Sequence, residues 1–420
     1  RPPRSTLFPY TTSSDLLVGE LRVGPAESPI ITAARAEVSY RLTGPWRGEA
    51  FGVEVARIRL VRPDIRMQLT DSGVSLGQLD PLIADFRDRP ARADGPAPEI
   101  VVEDGVLRVT HDAGQAVIHA DAHMSQGVLV SLSGRMEPTR FETEALMLDI
   151  ADARVGLVTQ KARTSLSFVG ALESGRLGET TFGAGALNLA AAVAYPDLEA
   201  RAIDGPVVLV ADLNAAEVSQ GEIKGARVRL NGSFRGEAQG ALDRLSLRGQ
   251  TSITARGEDL SMASARLGAI EASVASDDLA WRRGAGGGLT GAVRTSLNAQ
   301  DVTSGDLALN RASANLDGTA AYDAEGLSLN VSGSVAAAGG WAGLGAATSD
   351  DFAELAAIKR AAADFSLAAP GVRLALGEGG LQVGLTQAAA VRTESGGLVR
   401  ISLRPEAPLY GGDGARHSAA

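Results

Sequence analysis

Apolar and polar residues alternate along most of this chain with a period of two, the spacing at which a β-strand sends successive side chains to opposite faces. Between Gln115 and Met124, Val117, His119, Asp121 and His123 fall on one side and Ile118, Ala120, Ala122 and Met124 on the other. Between Arg227 and Phe234, Val228, Leu230 and Phe234 alternate with Arg227, Arg229, Asn231 and Ser233. Leu245, Leu247 and Ile253 share a face further on, opposite Ser246, Arg248, Gln250, Ser252, Thr254 and Arg256. The pattern returns at 307–309, 327–331, 381–385 and 398–403. One face is aliphatic and the other carries Arg, Ser, Thr and Asn, which predicts one-sided sheet.

Hairpin turns are predicted at Glu103 with Asp104 and Gly105, at Asn231 with Gly232, at Asp317 with Gly318 and at Glu325 with Gly326, where glycine supplies positive φ. No fixed sequence period is visible. Two short helices are predicted. Asp80 and Pro81 open the first, with Leu82, Ile83 and Phe86 inside. Ser349, Asp350 and Asp351 lead into the second, striped by Phe352, Leu355 and Ile358 and closed by Lys359 and Arg360. A Pro-rich charged stretch at 87–99 and a Gly/Ala-rich one at 336–347 mark boundaries. The expected organisation is an opening β module with a short helix (1–86), a linker (87–98), the main repetitive sheet (99–335), a terminal helix-plus-strands segment (336–410) and a loose tail (411–420).

Composition narrows this further. The 420 residues are 45% hydrophobic, enough for a packed core, and contain no cysteine. That excludes disulfide scaffolds, cysteine-ligated zinc and thiol nucleophiles. A net charge of −10 argues against nucleic acid as a partner. Only Lys161, Lys224 and Lys359 are lysine, and the many arginines are scattered rather than patched.

The aromatic content decides the architecture. Some 20–30 strands of ~8–10 residues stacked at ~4.8 Å would span ~100 Å or more. Open twisted sheets rarely exceed ~10 strands without curling or splitting. With nine Phe, five Tyr and three Trp, the inner face is mostly small aliphatics and leaves space to be filled. The expected fold is therefore mainly β: a long, curled, largely antiparallel sheet forming an open β-gutter, with a few short helices. A compact all-β core poor in aromatics is the other architecture open to this composition. Expected lining residues are Val228, Leu230, Phe234, Leu245, Leu247, Ile253, Leu307, Leu309, Leu327, Leu329 and Val331. Such a lining suits acyl chains. At ~0.8 kcal/mol per methylene, a diacyl lipid with ~30 methylenes faces ~20 kcal/mol or more in crossing water unaided.

The N-terminal third carries a family likeness. Its strand-turn-strand stretch VEVARIRLVRPDIRMQLTDSGVSL (53–76), followed by GQLDPLIADF (77–86), resembles the opening module of the AsmA-like (TamB) superfamily, most like the YdbH-type intermembrane phospholipid transport proteins. EDGVLRV (103–109), YPDLE (195–199), DLAW (278–281) and AELAAIKRAA within 341–370 follow in the same order. The resemblance implies a bridge-like lipid-transfer protein: a β-groove crossing the periplasm of a Gram-negative cell, carrying phospholipid between inner and outer membranes. It implies an inner-membrane anchor, a small outer-membrane lipoprotein as docking partner, no cofactor and no catalytic residues. The chain opens on Arg1 and has no ~18-residue apolar run, so the anchor is expected upstream of it.

Other chemistry is thin. His119, Asp121 and His123 are ligand types at i, i+2 and i+4, suited to a divalent metal, yet they also stand where polar-face residues belong anyway. Gly286, Gly288 and Gly291 match GxGxxG, but a strand-like AVRTSL follows where a dinucleotide site needs a helix. Trp46, Trp281 and Trp341 adjoin Gly-rich turns, at the groove border or packed at strand ends. A non-enzymatic lipid conduit is the expected function, and a structural or adhesive surface β-solenoid is the alternative.

Overall fold

The computed structural model describes residues 13–43, 52–70, 73–81, 97–195, 202–241, 243–284, 287–323, 326–341, 364–377, 380–393, 398–401 and 410–411. They are mainly β. Helical backbone is confined, among them, to 77–81, opening as a 3-10 turn at Gly77–Leu79. Asp80 secures that turn by accepting hydrogen bonds from Leu76 N (2.6 Å) and Ser75 Oγ (2.5 Å). Leu82, Ile83 and Phe86, most of the 87–98 linker and the whole helix expected at 349–360 lie outside the described residues.

The chain divides into two compact units, residues 1–173 and 174–420. In the first, strands β1 (Ser13–Val23), β2 (Ile31–Thr43) and β3 (Gly52–Thr70) form an antiparallel meander, with β4 (Gly73–Ser75) folded back on β3. Next come β5 (Glu99–His111), β6 (Gly114–Ser125), β7 (Val128–Met136), β8 (Thr139–Glu142), β9 (Leu146–Gln160) and β10 (Arg163–Leu177). β5 pairs with β3 in parallel, and antiparallel pairing then resumes through β6, β7 and β9.

The second unit contains β11 (Thr180–Phe182), β12 (Gly185–Ala194), β13 (Gly205–Gln220), β14 (Ile223–Gln239), β15 (Ser246–Met262), β16 (Ala265–Arg282), β17 (Gly288–Ser304), β18 (Leu307–Asp323), β19 (Gly326–Trp341) and β20 (Asp364–Gly377). From β12 to β20 each strand pairs antiparallel with the next. β20 then pairs with both β21 (Gly380–Leu385) and β22 (Ala389–Thr393), followed by β23 (Leu398–Ile401) and β24 (Tyr410–Gly411).

The strands are longer than the glycine punctuation suggested. Asn231 with Gly232 sits inside the 17-residue β14, and Asp317 with Gly318 inside β18, so neither is a turn. Asp104 with Gly105 is likewise internal to β5. At Gly318 and Gly333 glycine answers close approach: a Cβ would collide with the carbonyl oxygen of Asn330 or Asn315 on the neighbouring strand. Several of the real hairpins are two-residue turns. Gly178, Gly221 and Gly305 take positive φ at the first central position, as type II′ requires, and Gln126 with Gly127 are both positive, as type I′ requires.

A regular spacing does exist, in the backbone. Glu20, Arg62 and Asp104 in the first unit, and Glu217, Asp259 and Asp301 in the second, all have φ between 50° and 52° in mid-strand, each 42 residues after the one before it in its unit. The register aligns them in rows across the sheet: Arg62 falls opposite Asp104, while Ala226 and Gly268 fill the strands between Glu217, Asp259 and Asp301. A left-handed residue turns the strand by one step, so the side-chain phase changes across it. Leu260 thereby meets the positions of Gly257 and Gly225, three residues and one strand away, where strict alternation would send it to the other face. Gly105 meets Val102 in the same way.

Candidate functional site

This phase change makes the aliphatic face continuous. In the second unit, register places Leu187, Leu213, Leu230, Ala255, Ala272, Leu297, Ala314, Val335 and Ala369 in one row across nine successive strands. The adjacent row runs Leu189, Ala211, Gly232, Ile253, Val274, Thr295, Leu316, Gly333 and Val372. Nine strands ~4.8 Å apart make each row about 40 Å long. Beyond the left-handed residues the face continues through Leu260, Leu267, Val302 and Leu309.

Much of this face is uncovered. Leu189, Leu209, Leu230, Ile253, Val274 and Leu297 are each 36–42% exposed. Their neighbours explain it: Ile253 has Gly232 on one side and Leu230 has Ala255 on one side, so one neighbour of each is too small to cover it. At the C-terminal end the same face closes, where Ala369, Val372, Leu385 and Ala389 are buried against Val335, Leu367 and Val383.

Val228, Leu230, Phe234, Leu247, Ile253, Leu307, Leu309, Leu327, Leu329 and Val331 all lie on this face. Val331 is buried at 2% and Leu327 is 52% exposed. Leu245 precedes β15 and belongs to the turn there. Sequence reasoning missed Leu213, Val274, Leu297 and Leu316. The signal for them was present: an acidic residue, then Val or Leu, then Ser or Thr, at 217–219, 259–261 and 301–303, marks each phase change.

The opposite face is polar. In the first unit Arg59 bridges three strands, donating from Nη1 to Glu37 (3.1 Å) and from Nε and Nη2 to Glu103 (2.8 and 2.6 Å). The Arg59 hydrogen bonds hold the Glu103 carboxyl below the ordinary carboxylate range, and the two carboxylates hold the guanidinium above its usual value. In the second unit the pairs stand singly, Arg227 with Glu258, Arg256 with Glu271 and Arg294 with Asp277.

His119, Asp121 and His123 share this polar face on β6, but each is turned to a partner of its own. His119 Nε2 lies 2.6 Å from Glu137 Oε1, His123 Nε2 lies 2.8 Å from Glu99 Oε1, and Asp121 accepts the Asp104 backbone N–H at 2.9 Å. No group of three or more metal-ligating side chains converges among the described residues. Gly288 and Gly291 belong to β17, so a strand follows the GxGxxG match as expected. No described helix is long and apolar enough to cross a membrane. No protein-family profile, curated protein or solved structure matches the chain.

Proposed function

We propose that the exposed aliphatic face of the second unit carries the acyl chains of phospholipids, making the protein a non-enzymatic lipid conduit. The observation that carries this reading is a pair of rows about 40 Å long, apolar but for Thr295, in which Leu189, Leu230, Ile253, Val274 and Leu297 are more than a third exposed. Exposed contiguous apolar surface of this kind marks an interaction site. An acyl chain gains ~0.8 kcal/mol for each methylene moved from water onto it, and no bond need be made or broken. In this proposal the sheet curls around the chains as a gutter, as the AsmA-like resemblance implies. The conduit then works in the periplasm between inner and outer membranes, with an anchor and an outer-membrane lipoprotein completing it.

The test uses the two faces of one strand. The chain is purified from Gram-negative cells, extracted with organic solvent and assayed for phospholipid. Ile253→Arg, at a 42% exposed position, is expected to lower bound phospholipid tenfold or more, because a guanidinium opposes hydrocarbon beside it. Ser252→Arg, exposed on the polar face, is expected to leave it unchanged. A parent protein that carries no phospholipid, or equal loss in both variants, overturns the reading.

A further inference from the structure

The polar face of the second unit carries a cleft of about 540 Å³ that spans β16 to β20, within the ~300–1,000 Å³ of small-molecule sites. Two rows of that face line it: Thr290, Ala321 and Ser328, and then Ala292, Thr319, Asn330 and Ala375. Between them runs the row Gly291, Ala320, Leu329 and Leu376, whose side chains belong to the aliphatic face. Residue size makes the hollow. Ala292, Ala321 and Ala375 keep its floor low, while the next row out holds Arg294, Asp317, Ser332 and Arg373.

A backbone irregularity brings a carboxylate to this hollow. β16 is out of step with both neighbours at one place, between Ala275 and Ala280 against β17 and opposite Gly249–Thr251 of β15. Its extra residue turns Asp278 toward β17, where Oδ1 accepts the Ala292 N–H at 3.0 Å and a longer bond from Ser276 Oγ at 3.4 Å. Bulges re-aim side chains in this way beside functional sites. Among the described residues, no hydrogen bond reaches Asp278 Oδ2 or the side chains of Thr290, Thr319 and Asn330. Ser328 Oγ has only a long bond to Ala321 O, at 3.5 Å.

These groups define a ligand chemistry. Hydroxyls and a primary amide both donate and accept, and a carboxylate accepts. No cation lines the cleft, and the row beyond adds no counter-charge for an anion: Arg294 is paired with Asp277 at 2.7 Å, and Arg373 shares its row with Asp317. One carboxylate is too few to hold a divalent cation, and no set of metal-ligating side chains converges among the described residues. A neutral molecule dense in hydroxyls fits, its C–H edges resting on the alanines. We infer that the cleft is a saccharide-binding site in which Asp278, Thr290, Thr319, Ser328 and Asn330 hydrogen-bond a neutral sugar. It lies on the face opposite the acyl-carrying rows and stands independently of that reading.

The experiment titrates the purified chain with cellobiose, maltose and N,N′-diacetylchitobiose in turn, read by saturation-transfer NMR. Saturable binding of at least one at millimolar concentration is expected. The double variant Thr319→Val, Asn330→Leu keeps side-chain size, removes the hydrogen bonds, and is expected to weaken that binding tenfold or more. Asp278→Asn keeps an oxygen for the Ala292 N–H and removes the charge. It is expected to weaken binding about threefold, and it decides the matter alone if the double variant does not fold. Asn298→Leu, exposed on the same face outside the cleft, is expected to change nothing. Failure of all three sugars to saturate the folded parent overturns the assignment. So does binding that survives Asp278→Asn and the double variant unaltered, or that Asn298→Leu weakens equally.

Discussion

The two units share a backbone plan and differ in what they leave uncovered. Each has left-handed residues 42 apart, one aliphatic face and one polar face. In the first unit the middle of the aliphatic face is covered, because bulky neighbours shield one another: Ile58 lies between Val38 and Ile100, and Leu107 between Ile65 and Ile118, while Leu16 and Leu69 at its margins are 53% and 43% exposed. In the second unit small residues among the neighbours leave Leu189, Leu209, Leu230, Ile253, Val274 and Leu297 standing in the middle of the face. Polar faces differ as well, a bridged Arg–Glu network in one and separate pairs in the other. The lesson is that cross-strand neighbour size, on an unchanged backbone plan, sets whether an apolar face acts as core or as open surface.

Truncation on that face is the strongest way to test this contrast. Met136→Ala in the first unit, at 5% exposure, is expected to cost about 3 kcal/mol, whereas Leu230→Ala in the second, at 40%, is expected to cost under ~1 kcal/mol. Urea midpoints measure both. Equal costs would erase the distinction between the two faces.

The shared backbone plan gives the next largest effect. Asp259→Val and Asp104→Val each put a β-branched residue at φ near 51°, and each is expected to cost about 1–2 kcal/mol more than the corresponding Ala substitution. A penalty in one unit and none in the other would show that the two rows are not equivalent.

The smallest effect concerns the polar faces. The Glu103 carboxyl has its pKa lowered by Arg59 on folding, so its contribution to stability is full above the unfolded carboxylate pKa and fades as pH falls through the folded value. Arg59→Met is therefore expected to flatten the acid limb of the stability profile of the first unit. Arg227→Met in the second, whose pair stands alone and exposed, is expected to change it less. Denaturant melts at several pH values read this directly, and identical acid limbs would dissolve the contrast.

Legibility followed the range of each interaction. Strand character at 115–124, 227–234 and 246–256 is plain in the sequence because pleating is local and its period is two. The turns were not. Asn231 with Gly232 carries strong hairpin chemistry yet runs straight through β14, since pairing on both sides outweighs a dipeptide preference. The candidate site was legible as a face, and incompletely as a set of residues. Leu309 joins Leu316 on that face only because Asn310 stands in line with Asp301, where the phase shifts.

By itself, the sequence determined that the chain would form strands with one aliphatic and one polar face, since side-chain alternation along a strand needs no partner. Only tertiary structure decided that β3 and β5 run parallel, that the left-handed rows carry the aliphatic face across each phase change, and that Leu230 stands exposed while Val331 on the same face is buried. Those outcomes depend on which residues become neighbours across strands, and strand register is fixed by pairing over the whole sheet rather than by any residue's own preference.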